Sequence, residues 1–258
     1  MYKYIFDVDG TLTPSRKRMN KKFAVWFSKF CETNNVYLVT GSDRTKTVEQ
    51  IGEYIYFKCK RVYNCSGCDV YEGDQNIRTV TWKIPSNVIS WLEDRLEESN
   101  FVLRTGLHIE ERSGMLNFSI VGRNAILAER MLYIEWDKKY NERNHIVHDF
   151  NLRFPTLNAT AGGETGIDIG PKGFDKSQIL IDFNENDQLH FFGDAIFQGG
   201  NDWSIANKIV DQNRGTFYNV TDWQDTWEIL KQITVLTTFF PAASDAFHRT
   251  QLDFQYEF

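Results

Sequence analysis

Short apolar runs alternate with helical periodicity in the first part of the chain. Residues 4–8, 36–40 and 61–64 are rich in β-branched and aromatic side chains, which predicts three strands. Between these runs, 20–34 and 45–54 carry apolar residues three and four positions apart, which predicts two helices. Strands that alternate with helices favour a parallel sheet with helices on its faces.

The regular alternation stops near residue 69. Further on, strands are predicted at 101–104, 115–121 and 156–161, with a long helix at 125–140 between them. This irregular order of strands and helices is typical of an α+β domain.

Alternation resumes with a helix predicted at 174–183 and an apolar strand at 189–192. The predicted fold class is therefore α/β, with a Rossmann-like parallel-sheet core that an inserted α+β domain interrupts. The predicted boundaries, in chain order, are core 1–81, inserted domain 82–172, core 173–238 and an aromatic-rich tail at 239–258.

Composition narrows the function classes. A chain of 258 residues can bury a sizeable core without disulfides or a structural metal. A net charge of −6 does not provide the basic surface that sequence-independent nucleic-acid binding requires, so no nucleic-acid partner is expected. No apolar run is long enough to cross a bilayer, so we expect no membrane association, a cytoplasmic location and four reduced, buried cysteines.

Two aspartates directly follow the first predicted strand, in Asp7-Val8-Asp9-Gly10-Thr11. The carboxyl ends of strands are where open α/β sheets bind ligands. Neither carboxylate can be buried without a partner, so packing alone does not explain the pair. Carboxylate oxygens suit Mg²⁺, and one carboxylate remains available to attack phosphorus. An acidic turn is the alternative interpretation of these residues alone.

Other polar residues fall at strand ends or loops of the same predicted core. Thr40 and Ser42 follow the second strand, and either hydroxyl could bind phosphoryl oxygens. Lys176 lies near the start of the helix that re-enters the core, Asp194 ends a later strand, and Asp202 opens the next helix. Their order after successive strands predicts a single phosphoryl-transfer site.

A carboxylate that approaches a phosphate dianion needs its charge offset. We predict that Mg²⁺, held by Asp7, Asp194 and the backbone carbonyl of Asp9, does this on one side and Lys176 on the other. Asp202 would orient the waters of the ion or Lys176. Asp9 would protonate the leaving oxygen and later deprotonate the acceptor.

Arginines of the inserted domain form a second candidate group. Arg123 and Arg130 are seven residues apart, at and along one predicted helix, and Arg112 lies on a neighbouring strand or turn. Guanidinium groups bind phosphate in bidentate fashion, so this cluster suits a second phosphate about one sugar's width from the nucleophile. The alternative is that these arginines are solvated surface residues.

Four parts of the chain resemble the four motifs of the haloacid dehalogenase (HAD) superfamily of phosphotransferases. They are Asp7 to Thr11, Thr40, Lys176, and Asp194 with Asp202. Several longer segments are similar to the eukaryotic-type phosphomannomutase family. They are residues 7–13, 41–43, 110–122, 174–176, 191–194 and 199–202.

The resemblance implies a HAD core with an inserted cap of the C2b type, often dimerising through the cap. The implied activity transfers phosphate between C6 and C1 of mannose or glucose, with Mg²⁺ and with a hexose 1,6-bisphosphate as activator. Asp7 would be the nucleophile and Asp9 the acid/base. The remaining residues implied to bind the sugar phosphate are Arg16, Arg112, Asn117, Arg123, Arg130 and Asp168.

Three positions depart from the pattern of the mutases. Gly166 stands where they carry a phosphate-binding serine, Thr40 where their second strand ends in glycine, and Lys208 where they bind an additional ion. Two enzymatic hypotheses therefore stay open at this stage, a phosphomannomutase-like transferase and a Mg²⁺-dependent sugar-phosphate phosphatase. A non-catalytic binding protein is the third, and the intact acidic motifs argue against it.

Overall fold

The computed structural model of the chain describes residues 2–239. The strands are β1 (Tyr2–Phe6), β2 (Val36–Val39), β3 (Arg61–Asn64), β4 (Asp69–Glu72), β5 (Gln75–Thr79), β6 (Ile109–Arg112), β7 (Met115–Phe118), β8 (Leu157–Gly162), β9 (Gly166–Pro171), β10 (Gln188–Gly193) and β11 (Gly215–Asn219). The α-helices are α1 (Lys21–Thr33), α2 (Arg44–Ile51), α3 (Glu53–Tyr56), α4 (Ser86–Glu98), α5 (Leu127–Tyr140), α6 (Glu142–Arg153), α7 (Trp203–Asp211) and α8 (Trp223–Phe239). Cys65–Gly67 and Lys176–Asp182 form 3₁₀ helices.

The first sheet has seven strands in the order β11-β10-β1-β2-β3-β4-β5. The pairs from β11 to β3 are parallel, whereas β4 and β5 add an antiparallel edge. The carboxyl ends of β1, β2 and β10 therefore lie side by side at one edge of the sheet. This is the predicted Rossmann-like core, and the edge is where its ligands are expected.

Both faces of the core sheet are covered by apolar side chains. One face packs against α1, α3 and α8, where Phe27 and Leu230 are fully buried. The other face packs against α7 and the 3₁₀ helix Lys176–Asp182, through residues such as Ile205 and Ile179. Burial on both sides explains why β1 ends in the apolar run Tyr4-Ile5-Phe6 and β10 carries Phe191-Phe192.

The second sheet has four antiparallel strands in the order β6-β7-β9-β8. One face packs against α4, α5 and α6 around Leu92, Tyr133 and Phe150. The other face carries polar residues toward the carboxyl edge of the core sheet. All four strands lie between residues 109 and 171, and the boundaries 82–172 of the insertion stay a prediction.

Several element bounds differ from the sequence-based predictions. The helix predicted at 45–54 is two helices, because Gly52 has a φ of +82° and interrupts the helical backbone. The strand predicted at 101–104 is wrong, since this segment has no regular structure. Arg104 instead donates hydrogen bonds to the carbonyl oxygens of Leu96 and Ser99, both at 3.1 Å, at the carboxyl end of α4.

The helix predicted at 174–183 is a 3₁₀ helix, Lys176–Asp182. The four cysteines are free and buried, as predicted. Within residues 2–239, no helix combines the length and the apolar character that crossing a membrane requires. The prediction for the tail lies outside the described residues, except that Phe239 ends α8.

Replacement of Phe27 by alanine tests the packing of α1 on the core sheet. The ring of Phe27 is fully buried and meets that of Phe6 edge to face, with 5.2 Å between centroids. The Phe27→Ala variant should lower the free energy of unfolding by about 3–5 kcal/mol in urea titrations, because a cavity remains. Val25→Ala on the exposed side of the same helix should change it by less than about 0.5 kcal/mol. Equal losses in the two variants would contradict this packing.

Candidate active site

Three carboxylates and one ammonium group meet at the carboxyl edge of the core sheet. Asp7 directly follows β1 and is 4% exposed. Lys176 is 1% exposed and its Nζ lies 2.5 Å from Asp7 Oδ1 and 2.7 Å from Asp202 Oδ1. One carboxylate oxygen each from Asp7, Asp194 and Asp202 lies within 4.8 Å of the others. The structure thus brings together the predicted residues of both halves of the core.

The crowding of these carboxylates changes their protonation. Burial, together with the charges of Asp202 and Asp194, raises the pKa of Asp7 well above its usual range, although Lys176 opposes the shift. Asp194 faces the open site. Loss of solvation in the surrounding protein and the charge of Asp202 nevertheless raise the pKa of Asp194 to about 7. Both shifts mean that Lys176 does not fully offset the combined effect of burial and the neighbouring negative charges.

A hard divalent cation fits this arrangement. Its ligands would be carboxylate oxygens, and an added positive charge would counteract both the burial and the repulsion that raise the pKa values of Asp7 and Asp194. Asp202 already accepts hydrogen bonds at both oxygens, from Lys176 and from the backbone N–H of Ala195 at 3.1 Å. Its position therefore suits orientation of Lys176.

Asp9 is not part of this group of three carboxylates and is held by donors from the core. Its Oδ1 accepts hydrogen bonds from the backbone N–H of Arg16 at 2.6 Å and from Gln50 Nε2 at 2.9 Å. Its Oδ2 lies 3.4 Å from Ser42 Oγ. Gln50 is 7% exposed and was not predicted from the sequence. A buried glutamine on the helix that follows the Thr40 loop was the available signal.

The loop after β2 is held by its own hydrogen bonds. Thr40 is 1% exposed, its N–H donates to the carbonyl oxygen of Tyr63, and its Oγ1 accepts from the N–H of Ser42 at 3.1 Å. Asp43 caps α2 by accepting from the N–H of Lys46 at 2.8 Å. Thr40 and Ser42 both line the site.

The strands of the inserted domain present a row of polar side chains to this edge. Glu110 pairs in register with Asn117, and Asn117 with Asp168. Asn117 Nδ2 donates to Asp168 Oδ1 at 2.7 Å, while Asn117 Oδ1 is buried without a hydrogen-bond partner among the described residues. Arg112, two residues after Glu110 on β6, lies on the same face.

Glu110 is the centre of an ion-pair network that includes both domains. It accepts from Arg112 Nε at 2.9 Å, from Arg123 Nε at 3.1 Å, and from Lys46 Nζ of the core at 2.6 Å. Arg112 Nη1 also donates to the carbonyl oxygen of Gly41, in the core, at 2.6 Å. Burial alone would raise the pKa of Glu110, but Arg112, Lys46 and Arg123 outweigh it and lower the pKa to about 2.

The sequence did not identify Glu110 or Lys46 as site residues. Alternate charged residues on one strand, Glu110 and Arg112, were the only local signal. The prediction that Arg123 shares a helix with Arg130 is wrong, because α5 begins at Leu127 and Arg123 lies in the preceding turn. Arg123 still reaches the site.

The other two predicted arginines approach from opposite domains. Arg16, on the core, has Nη2 3.5 Å from Thr165 Oγ1 of the inserted domain. Arg130 is 6% exposed, pairs with Glu164 and donates to Ser15 Oγ of the core at 3.1 Å. Burial and the charges of Arg123 and Arg130 lower the pKa of Arg16 to about 10. Arginines that repel one another in this way favour an anion between them.

Both domains enclose a cavity of about 410 Å³. Its predicted lining residues are Asp7, Asp9, Arg16, Thr40, Ser42, Arg112, Asn117, Arg123, Asp168 and Asp194. Three predicted site residues, Arg130, Lys176 and Asp202, do not line the cavity. Arg130 contacts the lining residues Glu164 and Ser15, and Lys176 contacts the lining residue Asp7. A cavity of this size suits a small polar metabolite.

The lowered pKa of Glu110 makes a pH-dependent contribution to stability. Because the pKa is about 2 in the folded protein and 4.5 ordinarily, the contribution is complete above pH 4.5 and disappears as the pH falls toward 2. Glu110→Gln should therefore cost about 2 kcal/mol of unfolding free energy at pH 7. Urea titrations should show the difference from the unmodified protein shrinking at about pH 3. A pH-independent difference would contradict the assigned ion pairs.

Comparison with known protein families agrees with the geometry. Residues 23–236 match the family model described as eukaryotic phosphomannomutase. A phosphomannomutase of Oryza sativa subsp. indica is 34% identical over 238 residues, covering 87% of this chain and 92% of that protein. A phosphomannomutase of Dendrobium officinale is 32% identical over 235 residues, covering 88% of this chain and 92% of that protein.

Solved structures share the fold at low sequence identity. IMP-bound, N-terminally truncated IMP-nucleotidase of Plasmodium falciparum aligns with a TM-score of 0.59 and 16% identity, over 92% of this chain and 68% of that one. A haloacid dehalogenase-like hydrolase of Bacteroides thetaiotaomicron aligns with a TM-score of 0.53 and 13% identity, over 90% of this chain and the whole of that one. From its sequence matches, the chain belongs to the eukaryotic phosphomannomutase family, and its fold is shared with a haloacid dehalogenase-like hydrolase.

Proposed function

We propose that the protein is a phosphomannomutase that interconverts hexose 6-phosphate and hexose 1-phosphate through a phosphorylated Asp7. The observation that carries the proposal is that one cavity is lined both by the carboxylates Asp7 and Asp9 and by the guanidinium groups of Arg16, Arg112 and Arg123. A phosphatase needs one phosphate site, whereas a mutase must bind both ends of the sugar. The family membership favours the mutase over the phosphatase.

Asp7 is the proposed nucleophile because it combines burial with a neighbouring ammonium group. An Asp7 oxygen attacks one phosphorus of a hexose 1,6-bisphosphate, and the bond from that phosphorus to the sugar oxygen breaks. Lys176, fixed by Asp202, offsets the negative charge as the two anions approach. The hydroxyl groups of Thr40 and Ser42, which both line the cavity, are proposed to bind oxygens of the transferred phosphoryl group.

Asp9 is the proposed acid/base. Its Oδ1 is fixed by Arg16 and Gln50, and its Oδ2, which has only the long 3.4 Å contact with Ser42 Oγ among the described residues, is the proposed proton-transfer atom. Asp9 gives a proton to the departing sugar oxygen, and the resulting monophosphate reorients in the cavity. Asp9 then takes a proton from the other hydroxyl, whose oxygen accepts the phosphoryl group from Asp7.

Mg²⁺ is the proposed cofactor, held by Asp7, Asp194 and the backbone carbonyl of Asp9. When bound, it supplies positive charge that offsets the crowding of carboxylate and phosphate. A hexose 1,6-bisphosphate is proposed as activator, because the first turnover requires a phosphorylated Asp7. A homodimer formed through the inserted domain is proposed from the family resemblance.

The distal phosphate is proposed to bind between Arg16, Arg112 and Arg123. The lowered pKa of Arg16 supports this position, since an anion there would relieve the repulsion between the guanidinium groups. Asn117 and Asp168 are proposed to bind sugar hydroxyls. Asn117 Oδ1, which has no hydrogen-bond partner among the described residues, is proposed to accept from one of these hydroxyls. A buried acceptor without a donor lowers stability, and the sugar would supply the donor.

The mutase proposal is tested by giving the protein mannose 1-phosphate with Mg²⁺ and a catalytic amount of a hexose 1,6-bisphosphate. Mannose 6-phosphate should form faster than free phosphate, and Asp7→Asn should reduce its formation by roughly 10³-fold or more with the fold unchanged. Phosphate release without isomer would instead establish the phosphatase alternative. Isomer formed at the normal rate by Asp7→Asn would overturn the assigned nucleophile.

Arg123→Gln tests the distal phosphate site. Loss of a charge-assisted contact should raise the KM for the hexose phosphate by roughly 10–100-fold. Arg153→Gln is the matched control, because Arg153 is exposed at the end of α6 and should leave KM unchanged. Steady-state kinetics of the two variants check the difference, and an unchanged KM in Arg123→Gln would exclude this arginine from substrate binding.

A further inference from the structure

We propose that Lys46 and Glu110 form a latch that keeps the inserted domain closed over the phosphorylated intermediate, so that they position the arginines and exclude water. This inference rests on the proposed mutase function and adds two positioning residues to it. Both residues line the cavity, and the role assigned to them is to position the arginines rather than to react with the substrate. Their effect is on how often the phosphoryl group is lost to water rather than returned to the sugar.

The two residues connect the domains directly. Lys46 lies on α2 of the core and Glu110 on β6 of the inserted domain, 64 residues apart in sequence. Their 2.6 Å ion pair has partly buried side chains, 35% exposed for Lys46 and 21% for Glu110. An ion pair that is partly withdrawn from water is weakened less by solvent and salt than one on an open surface.

The carboxylate of Glu110 links this contact to the substrate-binding arginines. The same group that accepts from Lys46 accepts from Arg112 and Arg123. Arg112 in turn reaches the carbonyl oxygen of Gly41 in the core. Separation of the domains would break the contacts of Lys46 and Gly41 together, and it would also release two guanidinium groups from their fixed positions.

Other contacts between the domains surround this latch. The backbone N–H of Ala161 donates to the carbonyl oxygen of Gly199 at 3.1 Å, and Arg130 donates to Ser15. The ion pair between Lys46 and Glu110 is the contact in this set that joins oppositely charged side chains. Its loss should therefore loosen closure without preventing folding of either domain.

The consequence for the reaction follows from the aspartyl-phosphate. A sugar that reorients in the cavity leaves this group exposed to any water that enters. Tighter closure lowers the rate of hydrolysis but leaves the attack of Asp7 on the bisphosphate unaffected. The ratio of free phosphate released to isomer formed is thus the quantity that the latch controls.

The test measures this ratio in Lys46→Gln with mannose 1-phosphate, Mg²⁺ and glucose 1,6-bisphosphate. The ratio should rise about fivefold, as expected for loss of a partly exposed ion pair, and KM should rise with it. Glu110→Gln should raise the ratio at least as much, and Lys46→Gln should add little on that background, because the two residues act through one contact. Lys46→Arg should restore the normal ratio.

Lys231→Gln is the matched control, since Lys231 also forms an ion pair, with Glu228 on α8 of the core. Its ratio should equal that of the unmodified protein. An unchanged ratio in Lys46→Gln, or parallel losses of isomer and phosphate at a constant ratio, would overturn the latch. Failure of the unmodified protein to form any isomer would instead refute the proposed mutase function.

Discussion

A single buried ammonium group among three carboxylates is the interaction on which the site depends. Lys176 reaches Asp7 across 169 residues of sequence, and the inserted domain lies between them in the chain. The contact that offsets the charge of the nucleophile therefore also joins the two halves of the split core. The raised pKa values of Asp7 and Asp194 indicate that the compensation is incomplete. A divalent cation would supply the missing positive charge.

The sequence was sufficient for residues whose positions follow from strand ends. Asp7, Thr40 and Asp194 each come at or directly after the end of a parallel strand, and the carboxyl ends of neighbouring parallel strands meet at one edge. Lys176 was predicted beside them although its helix is of the 3₁₀ type. The order of the strands and of the motifs along the chain was thus enough to predict the part of the site that the core provides.

The inserted domain was harder to predict, because its contribution depends on how it docks. No periodicity along the chain indicates that Lys46 of α2 meets Glu110 of β6. The shared-helix argument for Arg123 failed, since α5 begins four residues later. The segment 101–104 is not a strand, and its Arg104 side chain donates hydrogen bonds to the end of α4 instead. A pattern of apolar residues along the chain does not reveal such side-chain hydrogen bonds.

Two departures from the family pattern find a structural setting. A Cβ at Gly166 would lie 2.7 Å from Asn117 Nδ2, so a serine there would displace the amide that holds Asp168. Asn117 occupies this space, and its Oδ1 is buried with no hydrogen-bond partner within residues 2–239. Thr40, where the mutases carry glycine, accepts a hydrogen bond from Ser42 and stabilises its loop. Gly166 and Thr40 are therefore compatible with a phosphate-binding site that differs in detail from that of the mutases.

The central claim is that Asp7 carries the phosphoryl group between the two ends of the sugar. The most direct measurement is to mix the protein with Mg²⁺ and a ³²P-labelled hexose 1,6-bisphosphate, quench in acid and locate the label by peptide mass spectrometry. The account predicts acid-stable label on the peptide that contains Asp7, removable by unlabelled hexose monophosphate. Label on another residue, or turnover without any labelled protein, would contradict it.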